Sequence, residues 1–143
     1  MDIDELSERA KSRLRDEEGC RLKPYADMKG LLTIGYGWCL DRSPMREIEA
    51  EFRLTNDVNQ AMLDCIRYIP EFANMGLDRQ SAFVDLVFQM GMHGVAGFRR
   101  MMAAVRAGDW EGAARELLDS KYAREDAPAR AERNAELFRK GGL

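Results

Sequence analysis

No stretch of the 143-residue chain approaches the ~18 consecutive apolar residues of a membrane-spanning helix, so stable membrane insertion is not expected. The opening residues, Met1-Asp-Ile-Asp-Glu-Leu-Ser-Glu, are acidic where a secretory leader is basic and then apolar, which argues against export by the general route. Proline and glycine are sparse, 4 and 12 residues, and exclude collagen-like and low-complexity chains. Cysteine is scarcer still. Cys20, Cys39 and Cys65 are an odd number with no pair at the spacing of a zinc or redox motif, so they read as free thiols and imply neither a disulfide framework nor a metal site. The single histidine, His93, stands in a glycine-bounded stretch without a serine or cysteine nucleophile motif, which removes triad chemistry. A basic excess is missing too: 22 basic against 25 acidic residues leave a net charge of −3, against a nucleic-acid partner.

What is present is an ordinary globular composition, 45% hydrophobic and 33% charged. A single domain of this length buries roughly 70% of the surface its unfolded chain exposes, enough for a core without covalent staples. Ile3, Leu6, Ala10 and Leu14 recur at helical spacing, and Gly19 stops that helix near Glu18. Residues 20–40 change character. Leu22, Tyr25 and Leu31 to Tyr36 are strand formers around Asp27-Met-Lys-Gly30, whose Asp-first, Gly-last pattern predicts a turn and hence a hairpin. Ser43-Pro44 predicts the start of a long helix running to about Cys65. Beyond Pro70 the pattern is helical, with breaks at Gly76-Leu-Asp, Gly91 to Gly94, Gly108-Asp109 and Ala127-Pro128, and Asp78 and Asp109 are the expected N-caps. The expected architecture is α+β and mostly helical: a helix and hairpin lobe over 1–43, a connecting helix over 44–66, and a helical lobe over 67–143. A cleft is expected where the lobes face each other.

Chemistry concentrates in one segment. Glu18 closes the first helix, Asp27 stands in the turn and Thr33 lies on the following strand. The end of a helix carries partial negative charge, which favours the neutral carboxyl that a proton donor needs. A second carboxylate such as Asp27 can activate water, and Thr33 is short and stiff enough to hold that water without crowding it. Each residue taken alone is more simply a helix end, a turn former or a strand residue, and only the joint spacing reverses that reading. Glu17 competes for the acid role, but the register to Asp27 selects Glu18.

The segment resembles the phage-type lysozymes, the endolysins of the T4 lysozyme type in glycoside hydrolase family 24. Their motif is Glu, eight residues, Asp, five residues, Thr, and Glu18, Asp27 and Thr33 reproduce both spacings. Glu18-Gly-Cys-Arg-Leu-Lys-Pro-Tyr25 and Thr33-Ile-Gly-Tyr-Gly37 are similar to the family as well, as is Leu86-Val-Phe-Gln-Met-Gly91 followed by Gly94-Val-Ala-Gly-Phe98. The resemblance implies a lysozyme-like two-lobe fold. It also implies hydrolysis of the β-1,4 bond between N-acetylmuramic acid and N-acetylglucosamine in peptidoglycan, with inversion, for host cell lysis. Glu18 would be the general acid, and Asp27 with Thr33 would activate the water or, for Asp27, stabilise positive charge on the sugar. Inversion requires the carboxyls to stand roughly 6.5–9.5 Å apart. Phe88 and Gln89 would bind substrate, Arg130 would pair with the catalytic glutamate, and Arg133 would support Glu17. No cofactor is implied, since two carboxylates and a water suffice. The implied protein is a monomer held in the bacterial cytoplasm until lysis, then active at the periplasm and cell wall. Its partners would be peptidoglycan strands and, indirectly, a holin for release.

The sequence departs from the family at Trp38, where many members carry a histidine that in some of them pairs with an acid at the position of Asp57; a direct or water-bridged contact of the indole with Asp57 is the expected substitute. The loop after the hairpin and the C-terminal tail are short, and the pI of about 5.3 is low for an enzyme acting on anionic walls. Wall affinity would then rest on local cations such as Arg99, Arg100, Lys121 and Arg124. The rival readings are a non-catalytic glycan-binding or structural module on the same fold and a lytic transglycosylase. A helical DNA-binding regulator is more distant.

Overall fold

Helix α1 covers Ile3–Glu18 in the computed structural model, which describes residues 2–141. Asp2 caps it, its Oδ1 accepting from the Asp4 and Glu5 amides at 3.0 Å each, and Gly19 ends it at φ 61°, a left-handed conformation that costs glycine little. Strands β1 (Arg21–Ala26), β2 (Leu32–Gly35) and β3 (Trp38–Cys39) follow, forming one antiparallel sheet in the order β1-β2-β3. Tyr25 pairs with Thr33 and Ala26 with Leu32, while the register shifts between Arg21 and Tyr25. Pro24 lies in that irregular stretch, where its missing N–H breaks no ladder bond. The hairpin is therefore as expected; the two-residue β3 is an addition.

The chain divides into two compact units, Met1–Glu51 and Phe52–Leu143, with the boundary inside helix α2 (Glu47–Tyr68). The Ser43-Pro44 start was expected three residues too early. Ser43 is committed to the hairpin, its N–H bonded to the Cys39 carbonyl, and the helix opens where Glu49 Oε2 accepts the Arg46 amide at 2.8 Å, half of a capping box. At its other end the helix continues past Cys65 to Tyr68, and Pro70 prevents further growth.

In the helical unit, α3 spans Leu77–Ala96 with a sharp break at Gly91 (φ 72°, ψ 165°), followed by α4 (Arg99–Arg106), α5 (Trp110–Leu118) and α6 (Pro128–Lys140). Asp109 caps α5 as expected, accepting from Gly112 N at 2.8 Å. Asp78 does not cap α3. Gly76 holds that position, and Asp78 sits in the first turn, where its charge favours the positive helix end. Between α5 and α6 the residues Tyr122–Asp126 form a wide turn closed by Ala127 N to Tyr122 O at 2.9 Å.

The core of this unit gathers Cys65, Ile69, Phe83, Leu86, Val95, Met101, Val105, Leu117 and Phe138, each almost wholly buried. Phe138 anchors it, with its ring 5.1 Å from Phe83 and 5.9 Å from Trp110, and Arg79 covers Trp110 while donating to the Phe138 carbonyl at 2.9 Å. Truncating such a ring costs about 3–5 kcal/mol, so α3, α5 and α6 form a firm platform for the residues they carry outward. Met101 and Met102 are both buried and fill this core. Among the described residues no helix is long and apolar enough to cross a membrane.

Candidate active site

Glu18 is the last residue of α1, and its carboxyl comes to rest over Gly37, in the turn between β2 and β3. A β-carbon at Gly37 would lie 2.5 Å from Glu18 Oε2, and Gly37 itself has φ 70°. The glycine is required twice, once for the backbone and once for the carboxyl beside it.

Asp27 is held by the turn it begins. Its Oδ1 accepts from Lys29 N at 2.8 Å and Leu31 N at 2.9 Å, and its own amide donates to the Leu31 carbonyl at 2.9 Å. The Leu31 amide, opposed by burial and aided by the Lys29 amide and the charges of Arg42 and Lys29, holds the carboxyl below its ordinary value. Asp27 is thus set up to remain ionised. Both backbone donors fall on one oxygen, which leaves Oδ2 outside this pair of bonds.

Thr33 is buried, and its hydroxyl donates to the Leu31 carbonyl at 3.2 Å. With its proton so placed, the hydroxyl oxygen retains lone pairs to accept from a water. Leu31 links the two residues, bonding Asp27 through N–H and C=O and Thr33 through C=O. Its part is made by backbone atoms, so nothing in its side chain announces it. Glu18, Asp27 and Thr33 all belong to the N-terminal unit. Trp38 is there too, and its one N–H goes to the Ser43 carbonyl at 2.7 Å. The indole hydrogen is thus spent within its own unit, and Asp57, in the helical unit, accepts from Arg53 Nε at 2.8 Å along its own helix.

Phe88, Gln89, Arg130 and Arg133 belong to the helical unit. Phe88 and Arg130 line one depression of about 270 Å³, together with Asp85, Ser81 and residues of α2. Arg130 and Arg133 line a neighbouring one of about 490 Å³ with Asp85 and Asn134. The residue that organises both is Asp85. Arg130 Nε lies 3.0 Å from each of its oxygens, Arg130 Nη2 lies 2.6 Å from Oδ1, and Asn134 Nδ2 donates to Oδ2 at 2.7 Å. Burial pushes the Asp85 carboxyl up, but the Arg130 and Asn134 hydrogen bonds and the charges of Arg130 and Arg133 together hold it below its ordinary value. Within the helical unit, the partner that holds Arg130 is Asp85. Gln89 Oε1 accepts a hydrogen bond from the Tyr122 hydroxyl.

Asp85, Asn134 and Tyr122 were not anticipated. Asp85 left a legible signal, a lone charge inside Ala82-Phe-Val-Asp-Leu-Val-Phe88, where an unpaired carboxylate would be costly.

Comparison with known proteins places this geometry in context. The sequence pattern of the family described as phage lysozyme matches residues 15–136. The chain is 31% identical over 137 residues to the pre-baseplate central spike protein Gp5 of Enterobacteria phage T4, covering 76% of this chain and 24% of that protein. It is 24% identical over 162 aligned positions to probable T4-type lysozyme 1 of Dictyostelium discoideum and 25% identical to probable T4-type lysozyme 2 of the same organism. Each match covers 93% of this chain and 95% of the relative. The chain therefore spans about a quarter of the spike protein and nearly all of the two amoebal proteins.

Proposed function

The chain belongs to the phage lysozyme family, and from that premise we propose that it is a muramidase hydrolysing the β-1,4 bond between N-acetylmuramic acid and N-acetylglucosamine in peptidoglycan. Glu18 protonates the glycosidic oxygen as the bond to the leaving sugar breaks. A water donates one hydrogen bond to Thr33 Oγ1 and one to Asp27 Oδ2, attacks the anomeric carbon from the opposite face and gives its proton to Asp27, with inversion. Phe88 offers an apolar face to a sugar ring and Gln89 an amide to its polar substituents. Arg130 and Arg133 play supporting roles. The protein is a monomeric endolysin, held in the cytoplasm until a holin admits it to the wall, and it acts there on glycan strands.

The observation that carries this reading is the pair of backbone amides on a single Asp27 oxygen, joined through Leu31 to the Thr33 hydroxyl. A carboxylate recruited only to cap a turn has no need of a buried hydroxyl tied to the same peptide. Digestion of purified peptidoglycan by the parent and by Glu18→Gln, with mass analysis of the fragments, tests it. Hydrated muropeptides from the parent are expected, with a rate loss of about 10²–10⁴ in the variant. Fragments lighter by one water identify a transglycosylase. No cleavage by the folded parent leaves a glycan-binding or structural module, the reading to which likeness to a spike protein lends its weight.

A further inference from the structure

Gln89 is exposed on α3, one helical turn beyond Asp85 and next to Phe88. Its carboxamide has two chemically opposite ends, an oxygen that only accepts and a nitrogen that only donates, and an exposed amide ordinarily turns either way at little cost. Here one end is taken. The Tyr122 hydroxyl donates to Gln89 Oε1. Tyr122 is 9% exposed, and its ring meets Phe98 edge-on, with centroids 6.2 Å apart and planes at 87°. A phenol seated so firmly must spend its proton on whatever acceptor is within reach. Burial, and then the charge of Asp85, hold it above its ordinary value, so it stays a donor through the neutral range.

We propose that Tyr122 is a positioning residue for Gln89, holding the carboxamide so that Nε2 presents N–H donors to the carbonyl oxygen of an N-acetyl group, and so sets a preference for N-acetylated over de-N-acetylated glycan. This rests on the reading that Gln89 contacts the glycan. An N-acetyl carbonyl accepts from a fixed N–H, whereas the free amine of a de-N-acetylated sugar, protonated at neutral pH, offers only donors. Without the phenol, the amide can rotate and present its oxygen to that ammonium. Tyr122 would therefore contribute to discrimination without taking part in bond cleavage.

The test compares kcat and KM on purified peptidoglycan and on the same material partly de-N-acetylated, for the parent, Tyr122→Phe, Gln89→Ala, their double variant and Gln89→Glu. Tyr122→Phe keeps the ring and its contact with Phe98. It is expected to lower the preference for acetylated substrate roughly three- to tenfold, the worth of one ordinary hydrogen bond. Its kcat on fully acetylated material should stay within about twofold, with the loss in KM. The double variant should match Gln89→Ala alone. Gln89→Glu keeps an acceptor for the phenol but has no N–H, and should lose the preference even where Tyr122→Phe fails to fold. If Gln89→Ala loses the preference and Tyr122→Phe retains it, the positioning role is wrong while the glycan contact stands. If Gln89→Ala or Gln89→Glu changes neither KM nor preference, the contact itself is wrong and this proposal falls with it. A folded parent that cleaves neither substrate overturns the muramidase reading.

Discussion

The carboxyl of Glu18 occupies the space that a side chain at Gly37 would need, 2.5 Å from Oε2 and 3.0 Å from Cδ to where that β-carbon would stand. Because the crowded atoms are the free end of a flexible side chain, Gly37→Ala should displace the carboxyl rather than the sheet. The left-handed backbone adds about 1–2 kcal/mol of strain. A misplacement near 1 Å can cost on the order of 10²-fold in rate. Wall-lysis rates and thermal unfolding measured together should show activity falling far more than stability; equal, small losses in both would mean that the position of Glu18 is not critical.

Asp27 and its asparagine variant separate turn formation from catalysis. Asn accepts the Lys29 and Leu31 amides through its own oxygen but not as a charge, so Asp27→Asn should fold with a modest fall in melting temperature while losing about 10²–10⁴ in rate. The Leu31 amide bond, first among the causes, holds the parent carboxyl down. Its stabilising contribution is present above the unfolded value of about 3.9 and fades as pH falls through the lower folded value. An NMR titration midpoint for Asp27 at or above that ordinary value would contradict the arrangement.

Asp85→Asn should destabilise the helical unit. The Arg130–Asp85 pair is about one-third exposed, 34% and 30% for the two side chains. Solvent screening therefore reduces the expected loss to about 1–2 kcal/mol near neutral pH. The folded carboxyl lies below its unfolded value, so this contribution is complete above about pH 4 and disappears as pH falls through the folded value. Urea denaturation of parent and variant should show a gap that closes in acid; a constant gap would assign the effect to shape rather than charge.

Cys65 should resist thiol reagents. It is fully buried, and burial together with the Asp64 charge pushes its thiol up to about 11. The thiolate is then about one part in a thousand near pH 8. Peptide mapping after alkylation should find exposed Cys20 modified in the native protein and Cys65 only in denaturant.

How much of this could be read in advance depends on where each interaction is written. Glu18, Asp27 and Thr33 could be proposed from the chain alone because a motif at fixed spacing is one of its properties, and the end of α1 was legible because Gly19 has few other uses there. The first turn of α2 was misplaced because Ser43-Pro44 resembles a cap, whereas the turn that closes behind β3 takes Ser43 through Cys39 and Trp38. Leu31 was invisible because its contribution is made by peptide atoms. Asp85 and Arg130 meet across 45 positions, which no local pattern encodes. Trp38 was assigned a distant acid when a carbonyl five residues away satisfies its one donor.

The wide turn at Tyr122–Asp126 sets an angular phase. An ordinary helical turn closes four residues apart, whereas here Ala127 reaches back five to Tyr122. Deleting one residue from this turn would remove that five-residue closure and shift the point at which α6 departs, at the non-helical Ala127, relative to Tyr122. The phenol that serves Gln89 and the guanidinium that serves Asp85 could then no longer face the same helix together. Length variation in this segment should therefore be tolerated far less than its exposed arginine and acids suggest, because the extra residue acts as a spacer that keeps two polar attachments to α3 in step.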